Sequence, residues 1–368
     1  MLLLDNSQEL FFELLLVATG AKSELSRSYS EKEWEGAYCL AEEQAITGII
    51  LFGIENLQSV HGSRFMANIP KELLLQWIGM AQMIEQNSKM LAEASKRVVK
   101  YFRDNGFACE ILKGAAVARY YPEPLRRTSG DVDVWVDGGR EKIYGFARKF
   151  DKEGKLYGVN YHHIHFHLIE NIHTEVHIWP SFLSSPLRNK RLHNFCNLHR
   201  PTMDGDIPSL AFDRVFIMLH CYRHICGDGV GLRQVMDYYY VLRQGFTEAE
   251  RTDAVKWINK LGMGRFARGL MWVLREVFGL EEKYMLMEPD EKEGQFILNE
   301  IMLTGNMGHS DSRSWGSKQS ATSRFLLNLR RDLYMAGHYP HEALWQPLFS
   351  VWLYGWRMAK GLLADRED

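Results

Sequence analysis

Apolar residues recur at helical spacing from Ser7 to Ala18 and from Glu31 to Thr47, and Lys71 to Asp104 is a long run of helix-favouring residues. The first third of the chain is therefore predicted to be mostly helical. Asn105-Gly106 breaks the pattern, and Phe107 to Leu112 reads as a strand. Ala115 to Tyr121 reads as a short helix stopped by Pro122 and Pro124, because proline lacks an N–H and disfavours helix in the residue before it. The loop Glu123 to Gly130 leads into a strand from Asp131 to Val136, closed by Gly138-Gly139, and Arg140 to Lys152 resumes helical spacing.

Between Tyr161 and Glu170 the residues His163, His165 and His167 alternate with Ile164, Phe166 and Leu168. After Asn171-Ile172 a second alternating run, His173 to Trp179, completes a predicted β-hairpin. By parity His173, Glu175 and His177 share one face, opposite Thr174, Val176 and Ile178. Pro180 to Pro208 is expected to be an irregular connection. Helices follow from Ser209, as a cap, to His224, and over Leu232 to Arg243, Thr247 to Leu261, Phe266 to Phe278 and Glu291 to Thr304. Gly305 to Ser323 is polar and reads as a loop, then Arg324 to Tyr334 and the aromatic segment Trp345 to Leu363 end the chain. The polar interruptions Gln346, Pro347, Arg357 and Lys360 argue against a membrane span there; a buried helix is the expectation, and a membrane-surface helix the other reading.

At 368 residues the chain exceeds what one hydrophobic core usually supports. Three units are expected: an N-terminal helical region over 1–104, a catalytic core over 105–207 and a C-terminal helical domain over 208–368. A net charge of -2 provides no overall basic field, which argues against long nucleic acid as a partner. Cys39, Cys109, Cys196, Cys221 and Cys226 are odd in number and form no Cys-x-x-Cys pair, so a reducing cytoplasm fits better than a disulfide framework. Asp5, Glu9 and Glu13 interrupt the apolar start, which reads as an amphipathic helix rather than a leader.

The candidate chemistry lies in Asp131-Val132-Asp133. A side-chain period of two sends both acids to one face and Val132, Val134 and Val136 to the other. Their Cα atoms then lie roughly 7 Å apart, and carboxylates that close repel unless a cation or shared proton offsets the charge. A divalent metal does so. Lys113, Arg119, Arg126 and Arg127 flank the pair and are expected to meet nucleotide phosphates; for Lys113, pairing with a nearby acid fits as well.

With Leu112-Lys113-Gly114-Ala115-Ala116, Tyr120-Tyr121, Arg126 and Asp131-Val132-Asp133 in place, the chain resembles the uncharacterised nucleotidyltransferase family of bacteria, within the DNA polymerase beta-like superfamily. The resemblance covers residues 110 to 180 and 209 to 243, the latter through Gly231 to Asp237 preceded by His220 and His224. It implies an α+β fold, a polymerase beta-like core with a small mixed sheet flanked by helical regions. It also implies a third carboxylate, for which Glu175 is the match, and His177 fits the family pattern. The implied activity moves a nucleoside monophosphate from a nucleoside triphosphate to a hydroxyl acceptor, using two Mg²⁺ ions or Mn²⁺ in their place. In that scheme Asp131, Asp133 and Glu175 hold the metals and Glu175 helps deprotonate the acceptor. Gly114 and Ala115 bring backbone N–H groups to the phosphates, and Lys113 or Arg126 neutralises phosphate oxygens. The wider superfamily has Gly-Ser or Gly-Gly where this chain has Gly114-Ala115, so a serine hydroxyl is missing from the turn.

The acceptor stays open between a small molecule, a sugar derivative and a protein side chain. His220, Arg223, His224, Arg233 and Asp237 read either as a second wall of the nucleotide pocket or as an ion-paired network between helices. The histidines from His162 to His177 read either as a polar face lining a cleft or as ligands converging on zinc. Two further functions therefore stand beside transfer: a non-catalytic nucleotide-binding protein with the same fold, and a metal hydrolase built on the histidines.

Overall fold

Helix α1 (Asn6–Ala18) starts where the sequence supplies a reciprocal cap: Asp5 accepts from the Gln8 N–H at 2.8 Å while the Gln8 side chain accepts from the Asp5 N–H. The computed structural model describes residues 5–61, 69–150, 154–166, 168–169, 172–311, 313 and 321–362. His167, Glu170 and Asn171 of the expected hairpin, most of the polar stretch after 311, and Met1 to Leu4 lie outside the described residues. The protein is α+β and mostly helical, with one small mixed sheet among the described residues.

Helix α2 (Glu31–Glu43) is shorter than the spacing predicts because Ala45 adopts φ 55°, and a separate helix α3 (Thr47–His61) begins beyond it. Helix α4 (Lys71–Asp104) is 34 residues long and serves two cores. Its first half buries Leu73, Trp77 and Ala81 among α1, α2 and α3, in a cluster that extends to the C-terminal helices. Its second half buries Leu91, Val98, Val99 and Phe102 against the sheet.

The sheet comprises β1 (Cys109–Ile111), β2 (Val132–Val136), β3 (His163–His165) and β4 (Thr174–His177), in the order β1-β2-β4-β3. Strand β2 is antiparallel to β1 and parallel to β4, and β3 pairs antiparallel with β4, as the hairpin reading requires. Val132, Val134, Val136, Ile164 and Val176 are buried on one face, beneath α4 and α6 (Gly139–Ala147). Between β1 and β2 lies the short helix α5 (Ala115–Ala118), followed by a 3₁₀ turn, Pro124–Arg126.

Two expectations need correction. The stretch expected to be irregular contains helix α7 (Pro186–Leu198), started by Pro186 in its first turn and anchored by buried Leu192, Phe195 and Cys196. The last helix, α15 (Gln346–Ala359), is not buried. Leu348, Val351, Trp352, Tyr354 and Met358 are exposed, because its apolar residues surround the helix while only part of it packs. Between these lie α8 (Leu210–Cys226), α9 (Leu232–Arg243), α10 (Glu248–Leu261), α11 (Gly264–Phe278), α12 (Glu291–Thr304), α13 (Ala321–Ala336) and α14 (Pro340–Ala343). No described helix is long and apolar enough to cross a membrane.

Candidate active site

Strand register places the chemistry. Asp133 on β2 pairs with Glu175 on β4, and Glu175 pairs in turn with His165 on β3. Two residues along each strand, Trp135, His177 and His163 form the next row on the same face. Residues directly opposite in adjacent strands point to the same side, so Asp133, Glu175, His177, His163 and His165 share the face opposite the valines. Asp131 lies just before β2, two residues from Asp133 and on the same side.

Two hydrogen bonds from α4 hold the approach to β2. Ser88 Oγ donates to the Arg127 carbonyl at 2.9 Å, and Asn87 Nδ2 donates to the Ser129 carbonyl at 2.7 Å. On the other side the Leu112 N–H donates to the Asp133 carbonyl at 3.0 Å, which fixes the Lys113-Gly114 turn beside the acids. Gly114 has φ 59° and ψ -116°, and a β-carbon there would lie 3.5 Å from the Asp131 carbonyl oxygen. Because this backbone favours glycine, Gly114→Ala is expected to cost about 1–3 kcal/mol, read as a lower midpoint in urea unfolding with an unchanged slope.

Asp133 is buried and its Oδ1 is shared by two cationic groups, Lys113 Nζ at 3.0 Å and His177 Nε2 at 2.8 Å. Burial pushes the Asp133 carboxyl up, yet Lys113 and the His177 hydrogen bond outweigh it and hold it at about 2. Burial likewise pulls His177 down, and the hydrogen bonds to Asp133 and Glu175 overcome that and raise it to about 9. Glu175 lies 3.2 Å from His177 Nε2 and 3.3 Å from His163 Nδ1. Despite burial, the His177 hydrogen bond holds its carboxyl below the usual range. Asp131 goes the other way: repulsion from Asp133 is the first cause, burial the second, and its carboxyl is raised. His163, by burial, falls to about 3 and is neutral.

A cavity of about 530 Å³ is lined on the sheet side by Lys113, Asp131, His162, His163, Glu175 and His177, while Asp133 stays buried and reaches it through its contacts with Lys113 and His177. His220, Arg223 and His224 of α8 form a second wall. A third comes from the C-terminal helices, with Arg331 and Asp332 on α13 and Gln346, Phe349 and Arg357 on α15. Sequence reading missed this third wall entirely, since no motif marks residues 331 to 357. His162 stands out in the sequence only as one of a run of histidines.

The other expected phosphate ligands are engaged elsewhere. Arg126 pairs with Glu55 at 3.1 Å and Glu85 at 2.7 Å. Arg127 is buried and forms a two-pronged pair with Asp237, its Nε and Nη2 each donating at 2.7 Å. Arg119 pairs with Asp213 at 3.0 Å. Arg233 donates to the Thr128 carbonyl at 3.3 Å and adds positive charge near Asp131. Ala115 borders a different groove, with Lys96 and Arg103 of α4. The two readings of the later helices thus divide: His220, Arg223 and His224 line the cavity, whereas Asp237 belongs to an ion-paired network.

Ligand atoms of Asp133, Glu175 and His177 lie within 4.8 Å of one another, as do those of Asp131, His173 and Glu175. Three carboxylates on one polar face are a hard-oxygen donor set, which fits Mg²⁺ or Mn²⁺. The sheet face and its cavity give the protein the layout of an enzyme with an acidic centre. A family model described as uncharacterised nucleotidyltransferase matches residues 30–279, and the chain belongs to that family. It is accordingly a transferase of the nucleotidyltransferase kind, with a nucleotide as substrate. No curated protein and no solved structure matches the chain. The cavity wall from 331 to 357 lies beyond the family match.

Proposed function

We propose that the protein has a polymerase beta-like core and moves a nucleoside monophosphate from a nucleoside triphosphate to a hydroxyl-bearing acceptor, with Mg²⁺. The observation that carries this reading is that Lys113, Asp131 and Glu175 line one cavity while buried Asp133, paired with Lys113, stands opposite Glu175 in the sheet, in a chain of this family. In the reaction the acceptor oxygen bonds to the α-phosphorus, the bond to the β-phosphate bridging oxygen breaks, pyrophosphate leaves and the hydroxyl proton is released. Divalent cations held by Asp131, Asp133 and Glu175 would offset the charge that builds on the attacking and leaving oxygens.

The remaining work falls to side chains present in the chain. Lys113, whose ammonium is held protonated despite burial by Asp133 and Asp131, places a positive charge at the cavity wall for phosphate oxygens. Burial keeps His162 neutral, so it lines the pocket as a hydrogen-bonding group without adding charge. His177 orients Asp133 and Glu175 by contacting both.

Nucleoside triphosphates are expected to raise the melting temperature only when Mg²⁺ or Mn²⁺ is present, and EDTA is expected to abolish the shift. Ligand at 100 times its dissociation constant contributes about 2.7 kcal/mol, an effect readily visible in a thermal melt. Incubation with labelled nucleotides and a lysate would then reveal which base is used and what becomes labelled. Metal-independent stabilisation by all four triphosphates, with no label transferred, would overturn the proposal.

A further inference from the structure

Glu175 sits in the middle of its row, with an oxygen donor on one side and nitrogen donors on the other. Asp133 precedes it across the sheet and His165 follows it, while His163 stands in the adjacent position on β3. His163 Nδ1 is 3.3 Å from Glu175 Oε2 and His165 Nε2 is 3.9 Å from Glu175 Oε1. One ligand atom from each of the three lies within 4.8 Å of the others. A tetrahedral Zn²⁺ with bonds of about 2.0–2.1 Å separates its ligand atoms by roughly 3.3–3.4 Å. The two contacts reach different oxygens of Glu175, and side-chain rotation has to bring the three ligand atoms from within 4.8 Å of one another to that spacing. Both histidines project from a paired strand, which limits their freedom, and their side chains remain 12% and 25% exposed, which leaves a way in.

We propose that His163, His165 and Glu175 form a second cation site, rich in nitrogen, that takes Zn²⁺ in preference to Mg²⁺. Imidazole suits borderline transition ions, whereas Mg²⁺ demands oxygen and sheds water reluctantly. Two histidines and one glutamate leave a zinc ion with an open position, here on the cavity side, because His163 and Glu175 both border the cavity. Asp131 and Asp133 belong to other groupings around Glu175 that carry one histidine each, so the proposed site is set apart by its second imidazole. This inference goes beyond nucleotidyl transfer and does not require it, although Glu175 is common to both.

The test is calorimetric titration of the EDTA-stripped full chain with ZnCl₂ and with MgCl₂, supported by the visible absorption of a Co²⁺ derivative. One equivalent of Zn²⁺ is expected to bind at least ~100-fold more tightly than Mg²⁺. His165→Ala and His165→Gln, checked for an unchanged circular dichroism spectrum, are each expected to weaken Zn²⁺ by about tenfold or more and to alter the Co²⁺ spectrum. His165 is the discriminating position because it belongs to none of the other histidine and carboxylate groupings on this face. Zn²⁺ affinity that is unchanged in both variants, or no tighter than that of Mg²⁺, would overturn the proposal. Asp131→Asn separates the two ideas: it is expected to weaken Mg²⁺-dependent nucleotide binding while leaving Zn²⁺ affinity within about twofold. Loss of Zn²⁺ selectivity with Mg²⁺-dependent nucleotide binding intact defeats this inference alone, and the converse defeats the transfer reading alone.

Discussion

Exchanging Asp131 for Asn is expected to abolish nucleotidyl transfer while making the metal-free protein slightly more stable. A carboxylate that holds a catalytic cation supports several kcal/mol of transition-state stabilisation, so the rate should fall on the order of 10³-fold or more. Stability moves the other way because Asp131 is repelled by Asp133, as its raised carboxyl shows. The neutral amide relieves that repulsion, and the gain should appear as about 1 °C in melting temperature. Its pH dependence follows from the direction of the shift. A carboxyl raised in the folded state binds more protons there than in the unfolded chain, so wild-type stability falls as pH rises from about 4 through the folded value. The advantage of Asp131→Asn therefore grows as pH rises through the folded value and vanishes well below pH 4, where the acid is protonated in both states. Melting curves in EDTA across that range check the stability part, and pyrophosphate release checks the activity. A variant that keeps its activity, or melts lower than wild type at pH 7, contradicts the assignment.

The larger effect on stability is expected from Arg127→Met. Arg127 and Asp237 are both buried, joined by two hydrogen bonds of 2.7 Å, and the Tyr121 hydroxyl donates to the same carboxylate at 2.7 Å. Removing the guanidinium leaves an uncompensated buried charge, at a cost of about 3–5 kcal/mol. Asp237→Leu alone should be comparably damaging, and the double variant should recover much of the loss, since apolar residues of similar volume often replace a buried pair at little cost. Urea unfolding of the three variants measures this directly, and strictly additive losses would refute a specific pairing. The pair also bears on the site. It ties the loop before β2 to α9, and that loop delivers Asp131, so activity in the recovered double variant tests whether the loop needs the charge or only the packing.

Several parts of the site were legible because they depend on neighbours in sequence. The alternation of Asp131 and Asp133 with Val132, Val134 and Val136 set which face each occupies, and the structure buries those valines under α4. Parity likewise separated Glu175 and His177 from Val176. Glu175 was assigned from family resemblance rather than from spacing, and its closeness to Asp133 comes from a parallel pairing of β2 with β4 that no local pattern announces. The arginines show the opposite case. Arg126 and Arg127 stand only a few residues before Asp131, yet their side chains meet Glu55, Glu85 and Asp237, partners as many as 110 residues away. Sequence proximity indicates where a backbone is but not which carboxylate wins a flexible cation.

What this sequence determined by itself is local: the helix cap at Ser209, strand faces, the glycine turn at Gly114 and the family signature. Each follows from backbone sterics or side-chain periodicity acting over a few residues. Only tertiary structure decided the sheet order, the partners of the buried arginines and the cavity wall that α13 and α15 contribute. It also left α15 exposed where its aromatic composition suggested burial, because composition states how apolar a helix is and packing alone decides how much of it is covered.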